Sequence, residues 1–461
     1  MGRWQYDLAV IGAGSAGLVA ATTAAQLGAS VLLIERDRVG GDCTWTGCVP
    51  SKALIHAAAA AHHARRAGWL SGAEVDFGAV MAGVHAAVER VYAGESPAQL
   101  ERLGITVRIA EAEFADPSSL RVGGEIVRAR RYLVATGADP WEPEVPGLAA
   151  IPHLNHLNVF ELSRLPRSLL VLGGGPVGCE LAQAFGRLGS RVTILDQASR
   201  LLEIADPEAS ALVGEVFQRE GIELRLGTAV SAFQTTPSGI AARCGESLIE
   251  ASTLLVATGR RARTTGLGLD AAGIAVGALG IEVDSRLRTT NPIVYAAGDV
   301  AGSLQFTHYA AWQGARAIRN ALFPGSASGI RSGLPWAVFT DPVVAQVGTT
   351  TTMPGIQAHR LGGDRVDRAQ AEDRTAGYLK LYSRAGRVVG GSAVGAAGGE
   401  LVNELSVAID AGLKMSQLAG SIHVYPTYGF AIQQLAAQAE LERYSGGWRR
   451  RLVSEILRSG K

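Results

Sequence analysis

A glycine-rich turn between an apolar strand and an apolar helix occurs twice in this chain, and this feature most limits the possible folds. The first copy reads YDLAVIGAGSAGLVAATTAAQLGASVLLIE and the second reads SLLVLGGGPVGCELAQAFGRLGSRVTILD. The glycines are Gly12, Gly14 and Gly17 in the first turn and Gly173, Gly175 and Gly178 in the second. One glycine triplet alone is a weak signal, but here each follows a strand and opens a helix.

Each copy also ends in an acidic residue at the same spacing. Glu35 and Asp196 both lie 23 positions after the first glycine, from 12 to 35 and from 173 to 196. The glycines permit a tight turn, close approach of a pyrophosphate and close packing of helix on strand, while the acid binds a ribose hydroxyl. The sequence therefore predicts an α/β protein with two Rossmann-like dinucleotide-binding units.

A second repeated segment supports the duplication. LVATGA at 133–138 recurs as LVATGR at 255–260, which places Thr136 and Gly137 in the first unit and Gly259 in the second. Each segment is interpreted as a late strand and turn of its own nucleotide-binding domain. Two dinucleotides in one chain suggest a permanent electron carrier and an exchangeable donor, and a flavin with a nicotinamide fits that arrangement.

Length, composition and charge limit the remaining possibilities. A chain of 461 residues predicts about three domains at ~100–200 residues each. A net charge of +1 provides no strong field to attract nucleic acid or an anionic membrane. The sequence has no apolar stretch of the ~20 residues that a membrane span needs. We therefore expect an enzyme of small-molecule chemistry with neither a nucleic acid nor a membrane as partner.

The segment GGDCTWTGCVPSKALI holds two of the four cysteines, Cys43 and Cys48. A structural zinc site needs four ligands, and neither Cys179 nor Cys244 has a partner at metal-ligand spacing, so no metal is expected. Cysteines this few, with no secretory leader, indicate a cytoplasmic protein, where a disulfide is usually catalytic. Cys48 opens an apolar helix, whose dipole favours a thiolate. We interpret the pair as redox-active and the other two cysteines as structural thiols.

The cysteine segment resembles the active-site motif of the flavin-linked pyridine nucleotide–disulfide oxidoreductases, which include glutathione reductase, lipoamide dehydrogenase and mercuric reductase. The resemblance covers nearly the whole chain. It includes both glycine fingerprints, VYAAGDV at 294–300, VFTDPVVAQVG at 338–348, GYLKLY at 377–382 and IHVYPT at 422–427.

That resemblance implies which residues bind the cofactors. The first unit would bind FAD, with Glu35 at the adenosine ribose and Asp299 at the ribityl or phosphate region. The second unit would bind the nicotinamide cofactor. The implied FAD residues are Gly12, Gly14, Gly17, Glu35, Gly41, Thr136, Gly137 and Asp299, and the implied nicotinamide-cofactor residues are Gly173, Gly175, Gly178, Asp196 and Gly259.

The resemblance also implies the catalytic groups. Cys48 would be the charge-transfer thiol beside the flavin, and Cys43 the outer thiol that meets the acceptor. Lys52 and Glu180 match the family's ion pair at the flavin's reactive nitrogen, where a fixed cation stabilises the negative charge of the reduced ring.

The choice between NADH and NADPH can be argued from the end of the second unit's second strand. Asp196 can accept a hydrogen bond from a free 2′-hydroxyl but repels a 2′-phosphate. Arg200 lies four residues further on, although the paired arginines of glutathione reductases are not matched. NADH is therefore favoured over NADPH.

The sequence departs from glutathione reductase and lipoamide dehydrogenase at SIHVYPTYGFAIQQ. Their catalytic histidine and glutamate align with Tyr425 and Phe430, while His423 aligns with a non-catalytic position. A phenol with a pKa near ~10 is a poor base where an imidazole near ~6.5 is a good one. His308 is the one other candidate base near the flavin.

Mercuric reductases also carry tyrosine at this position, and Hg(II) needs no thiol proton shuttle because it binds thiolates directly. The vicinal cysteine pair and the metal-carrier domain of those enzymes have no counterpart in the sequence. The favoured function is a mercuric-reductase-like flavoenzyme that reduces Hg(II) or another thiophilic acceptor. Dihydrolipoamide dehydrogenase-like thiol–disulfide exchange remains the alternative, followed by a redox-sensor flavoprotein.

The expected domains follow from the order of these motifs. Residues 1–148 and 278–332 would form the FAD domain, and residues 149–277 the NAD(P) domain. Residues 335–461 would form an α+β dimerisation domain of antiparallel strands and helices. In the relatives this last domain makes a homodimer, in which the region of Tyr425 reaches the partner's active site.

Overall fold

The structure is a computed structural model, and it describes residues 4–69, 75–302, 304–445 and 454–459. The chain divides into two compact units. The first comprises Met1–Ser199 with Glu220–Arg331, and the second comprises Arg200–Arg219 with Ser332–Lys461. The boundaries of the three expected domains stay a prediction. The segment 200–219, expected in the NAD(P) domain, belongs to the second unit.

The helices and strands are numbered in chain order. Within the described residues the helices are α1 (Ser15–Gln26), α2 (Gly41–Trp45), α3 (Cys48–Arg66), α4 (Phe77–Tyr92), α5 (Pro97–Arg102), α6 (Pro176–Leu188), α7 (Pro207–Arg219), α8 (Thr307–Leu322), α9 (Asp367–Ala371), α10 (Gly398–Asp410), α11 (Met415–Gly420) and α12 (Phe430–Ser445). No helix among these residues is long and apolar enough to cross a membrane.

The strands of the first unit are β1 (Tyr6–Ile11), β2 (Val31–Glu35), β3 (Ile105–Ile109), β4 (Ala112–Asp116), β5 (Ser119–Val122), β6 (Glu125–Val127), β7 (Ala129–Val134), β8 (Ala138–Pro140), β9 (Ser168–Leu172), β10 (Arg191–Leu195), β11 (Glu223–Arg225), β12 (Ala232–Thr236), β13 (Gly239–Cys244), β14 (Ser247–Ala251), β15 (Thr253–Val256), β16 (Arg260–Ala262) and β17 (Val294–Ala296). Those of the second unit are β18 (Trp336–Val338), β19 (Val343–Gly348), β20 (Ile356–Gly362), β21 (Tyr378–Arg384) and β22 (Arg387–Gly395).

Two parallel sheets hold the two glycine fingerprints. The first has the order β17-β7-β1-β2-β3 and the second has the order β11-β10-β9-β15. Their central strands are almost wholly buried and apolar, as expected for strands covered on both faces. In both copies the strand passes through the glycine turn into the helix that the sequence predicts. The α/β fold and the duplication are therefore confirmed.

The third glycine of each fingerprint lies where helix and strand approach most closely. A Cβ atom on Gly17 would collide with the carbonyl oxygen of Gly12, and a Cβ on Gly178 would collide in the same way with Gly173. Both contacts are with backbone, which cannot move aside as a flexible side chain can. The residue type at these positions is therefore set by packing rather than by contact with a ligand.

The second unit is built on one antiparallel sheet of order β18-β19-β22-β21-β20. Helices α10, α11 and α12 contribute buried apolar side chains to its core, together with the inner faces of the strands. This mixture of antiparallel strands and covering helices confirms the α+β architecture expected for the C-terminal part of the chain.

A buried carboxylate anchors the segment 200–219 within the second unit. Asp206 accepts hydrogen bonds from Tyr378 Oη at 2.8 and 2.9 Å, from Ser392 Oγ at 2.8 Å and from Gln346 Nε2 at 3.1 Å. Lys380 Nζ lies 3.6 Å from the same carboxylate. Burial alone would raise the pKa of Asp206, but these bonds outweigh it and the pKa is lowered.

We expect Asp206→Ala to reduce the free energy of unfolding by about 2–4 kcal/mol at neutral pH, because the tyrosine, serine and glutamine lose their shared acceptor. The lowered pKa in the folded state means that this stabilisation is complete above the unfolded pKa, ~3.9, and is lost as the pH falls through the folded pKa. Urea unfolding at neutral and acidic pH measures both effects. Asp364→Asn, at an exposed carboxylate of the same unit, is the control. Equal stability of the Asp206 variant and wild type at neutral pH would contradict this account.

Candidate functional site

The two cysteines of the GGDCTWTGC segment lie on neighbouring helices. Cys43 is within α2 and Cys48 is the first residue of α3. Both are half-buried, and no sulfur–sulfur bond joins them in this structure.

The pKa values of the two thiols are shifted in opposite directions. The hydrogen bond from Cys43, with help from the hydroxyl of Thr307 and the charge of Lys52, lowers the pKa of Cys48 to about 6 despite burial. The same hydrogen bond, burial and the negative charge at Cys48 raise the pKa of Cys43. One proton is therefore shared between the sulfurs, with Cys48 as the thiolate.

Thr307 is a contact of the thiol pair that the sequence analysis missed. Its Oγ1 lies 3.1 Å from Cys48 Sγ, across 259 positions of sequence. Thr307 is the first residue of α8, next to His308, which the sequence analysis singled out instead. The ring of His308 stacks on Phe306 with 5.6 Å between centroids. A hydroxyl residue at the first position of a helix was the only available signal, and it does not reveal a partner on α3.

Lys52 and Glu180 form the expected ion pair. Lys52 Nζ lies 2.7 Å from Glu180 Oε2, and the two side chains are 34% and 9% exposed. Lys52 lies four residues after Cys48 on α3, on the same face of the helix. Glu180 lies on α6, the helix of the second fingerprint. The structure thus brings together the thiolate, a cation and a buried carboxylate.

The two acids that end the fingerprints bind the backbone of their own glycine turns. Glu35 accepts hydrogen bonds from the amides of Ala13 at 2.8 Å and Asp37 at 3.1 Å. Asp196 accepts from the amides of Gly174 at 2.5 Å and Ala198 at 2.8 Å. Both carboxylates are held in place, and in both copies the acid lies at the glycine turn as the spacing predicts.

One cleft brings together most of the residues expected to bind FAD. Its lining includes Gly12, Gly14, Glu35, Gly41, Thr136, Gly137 and Asp299, and also Cys43 and Thr307. Gly17 is not among them, because it packs against the turn. Gly173, Gly175, Gly178, Asp196 and Gly259 do not line this cleft and belong to the second fingerprint or to the turn after β15.

A half-buried arginine in the cleft, Arg260, was not predicted. Arg260 Nη1 lies 2.7 Å from Asp299 Oδ2, and Arg260 Nη2 lies 2.5 Å from Asp42 Oδ2. Burial raises the pKa of Asp299, although the guanidinium partly offsets it. Arg260 belongs to LVATGR, the second copy of the repeated segment, but no sequence pattern pairs it with Asp42.

The cleft fits a flavin dinucleotide. Among the described residues, three buried side-chain atoms have no hydrogen-bond partner: Thr46 Oγ1, His156 Nε2 and Arg260 Nε. Thr46 and Arg260 line the cleft. Buried polar atoms in proteins are normally paired, and the phosphates and hydroxyls of a dinucleotide would supply the missing partners.

Tyr425 lies in the second unit, in the segment between α11 and α12. It is 60% exposed, and its hydroxyl donates a hydrogen bond to Asp367 Oδ2 at 2.8 Å. That carboxylate raises the pKa of Tyr425, and the ring packs edge-on against Phe430. His423, two residues earlier, binds Glu404 Oε1 through Nε2 at 2.8 Å. The phenolate form of Tyr425 is thus even less populated near neutral pH than that of an ordinary tyrosine.

We expect alkylation of the reduced protein to separate the cysteines by pH. Because only the thiolate reacts, the rate at Cys48 should rise through a pH of about 6. Cys244, whose pKa is raised by burial, should react only in the alkaline range and is the internal control. Brief iodoacetamide treatment followed by peptide mass spectrometry gives each rate. A Cys48 midpoint near the ~8.5 of a free thiol would contradict the assignment.

Comparison with known proteins agrees with this geometry. Residues 6–314 match the pyridine nucleotide-disulphide oxidoreductase family, and residues 334–436 match the dimerisation domain of that family. A mercuric reductase of Streptomyces lividans is 38% identical over 455 residues, covering 94% of this chain and 96% of the relative. A dihydrolipoyl dehydrogenase of Thermus scotoductus is 33% identical, again over 94% and 96% of the two chains.

Comparison with solved structures indicates the same family. A copper(II) complex of the HOCl-induced flavoprotein disulfide reductase RclA from Escherichia coli superposes with a TM-score of 0.86 at 29% identity, over 93% of this chain and 99% of that one. LpdA from Mycobacterium tuberculosis superposes with a TM-score of 0.86 at 28% identity. The chain therefore belongs to the class I pyridine nucleotide-disulfide oxidoreductases, FAD-dependent enzymes that use NAD(P)H, and it carries their dimerisation domain, which supports a homodimer.

Proposed function

We propose that this oxidoreductase passes electrons from NAD(P)H to the Cys43–Cys48 pair and then to a thiophilic metal ion such as Hg(II). The observation that carries the choice of acceptor is the environment of Tyr425. A phenol bound to Asp367 and packed on Phe430 replaces the imidazole and carboxylate that thiol–disulfide exchange requires. A soft metal ion needs thiolates but no such base.

Each residue of the first-unit site has a role in this proposal. Bound FAD supplies two-electron transfer between the nicotinamide and the sulfur pair. Lys52 would present a positive charge to the flavin, and Glu180 keeps that ammonium in place. Cys48 holds the thiolate, and Thr307 stabilises it with a hydrogen bond. Cys43 remains available as the thiol that meets the acceptor.

The relatives support a metal-ion acceptor. Mercuric reductases of Streptomyces lividans and Acidithiobacillus ferrooxidans are 38% and 37% identical to this chain. The structural neighbour from Escherichia coli is a disulfide reductase in complex with Cu(II). Hg(II) and copper ions both bind thiolates, and this shared property supports the choice of a thiophilic acceptor.

Lipoamide-type exchange is the second candidate, because the dihydrolipoyl dehydrogenase of Thermus scotoductus is 33% identical over nearly the whole chain. It would need a base other than Tyr425, and His308, next to Thr307, is the candidate. A redox-sensor role comes third, because an intact thiol pair and intact cofactor residues favour an enzyme over a sensor.

We also propose that NADH is preferred to NADPH. The Asp196 carboxylate is fixed by two backbone amides, which leaves a negative charge where a 2′-phosphate would lie. Arg200 is not available to offset it, because its guanidinium donates to the carbonyl oxygens of Ala205 at 2.9 Å and Glu203 at 2.7 Å.

The proposal includes a cytoplasmic homodimer with shared active sites. The exposed Tyr425 segment lies within the matched dimerisation domain, and Ile422 and Val424 beside it are 94% and 75% exposed. Apolar side chains this exposed suit burial against a second copy of the chain.

An acceptor panel tests the proposed function. With NADH as donor, we expect fast turnover of Hg(II) or Cu(II) and slow turnover of lipoamide and glutathione disulfide. Cys43→Ser should reduce metal-ion turnover by about a hundredfold or more, while NADH still reduces the flavin. Cys244→Ser is the control for loss of an unrelated thiol. Rapid lipoamide turnover by the wild-type protein would overturn the choice of acceptor.

A variant at the second fingerprint tests the donor preference. Asp196→Asn removes the negative charge but keeps the side-chain size, so the ratio of kcat/KM for NADH over NADPH should fall about tenfold. Initial rates of flavin reduction with each donor give this ratio. A wild-type preference for NADPH, or an unchanged ratio in the variant, would contradict the assignment.

A further inference from the structure

Helices α3 and α6 are connected at two places in the first unit. Near their N-terminal ends, Lys52 on α3 meets Glu180 on α6. Further along, Arg65 Nη1 on α3 donates a hydrogen bond to the carbonyl oxygen of Arg187 on α6, at 2.7 Å. No step of the electron transfer described above uses the residues of the second connection.

Glu220 is the centre of that second connection. Arg187 binds its carboxylate through two nitrogens, Nε at 2.9 Å and Nη2 at 2.6 Å. Gln183 Nε2 lies 3.3 Å from both carboxylate oxygens, and His62 Nε2 of α3 lies 3.8 Å from Oε1. The side chains of Arg187 and Glu220 are only 5% and 12% exposed. A bidentate arginine–carboxylate pair with little solvent access fixes both partners in a single geometry.

The spacing of the two connections determines what they constrain. Lys52 and His62 are about 15 Å apart along α3, and Glu180 and Arg187 about 10 Å apart along α6, at ~1.5 Å per residue. The residue numbers of the contacting positions increase along both helices from the first connection to the second. The two helices therefore run in the same direction. A helix held at one point can slide or turn on its neighbour, whereas a helix held at two points cannot.

We propose that Glu220 is a positioning residue for electron transfer from NAD(P)H. Its carboxylate binds Arg187 and Gln183 of α6 and faces His62 of α3, and in this way it holds α6 in the register on α3 at which Glu180 reaches Lys52. The two helices belong to different parts of the site. Helix α6 follows the second fingerprint, whereas α3 begins at Cys48. This inference rests on the proposed role of the Lys52–Glu180 pair beside the flavin.

The test compares Glu220→Gln with Glu223→Gln. The first variant keeps the side-chain size but removes the charge that binds Arg187. The second removes an exposed carboxylate, three residues further on, that pairs with Arg225. In anaerobic stopped-flow measurements with NADH, we expect Glu220→Gln to slow flavin reduction about tenfold. Its flavin midpoint potential should become more negative, because a displaced Lys52 stabilises the reduced ring less. Glu223→Gln should match wild type in both measurements.

A double-mutant cycle separates positioning from general loss of structure. If Glu220 acts through the ion pair, Glu220→Gln should cause little further change in a Glu180→Gln protein, in either rate or potential. If Glu220→Gln fails to fold or to retain FAD, Arg65→Met replaces it in the same cycle, because it removes only the bond to the Arg187 carbonyl. Wild-type rate and potential in the variant, or equal effects with and without Glu180, would overturn the inference. Failure of NADH and NADPH to reduce wild-type flavin would instead overturn the proposed function.

Discussion

The ion pair between Lys52 and Glu180 is the contact on which the arrangement of the first unit depends. It joins residues 128 positions apart, and Glu180 is 9% exposed. A carboxylate this buried is costly without a cation, so the contact with Lys52 stabilises α6 in this position. The pair also acts on the thiols, since Lys52 lowers the pKa of Cys48 while Glu180 raises it. Helix packing and thiol chemistry are therefore coupled.

The asymmetry of the thiol pair follows from position rather than from residue type. Cys43 and Cys48 are chemically identical and similarly buried, yet their pKa values shift in opposite directions. The hydroxyl of Thr307 acts on both thiols, but only Cys48 begins a long helix and lies one turn before Lys52, whose charge helps to lower its pKa. A pair with one stable thiolate and one thiol suits a relay in which one sulfur faces the electron donor and the other the acceptor.

Much of the fold and of the site could be predicted from local patterns. The spacing of glycines and acids specified two strand–turn–helix units, since a turn with so little room tolerates few other residues. Glu35 and Asp196 lie at their turns as expected. Contacts between distant segments were harder to predict. Arg260 with Asp42, and Thr307 with Cys48, are paired across 218 and 259 positions with no repeating pattern to indicate them.

The sequence by itself determined the duplicated nucleotide-binding architecture, and it placed two cysteines in the active-site motif of the family and a tyrosine at position 425. These features are local, because each depends on residue types at fixed short spacings. Only the tertiary structure decided that Thr307 contacts the thiol pair, that Arg260 pairs with Asp299 in the cleft, and that the segment 200–219 belongs to the second unit. Those outcomes depend on burial and on charges brought together from distant parts of the chain, and burial exists only once the chain has folded.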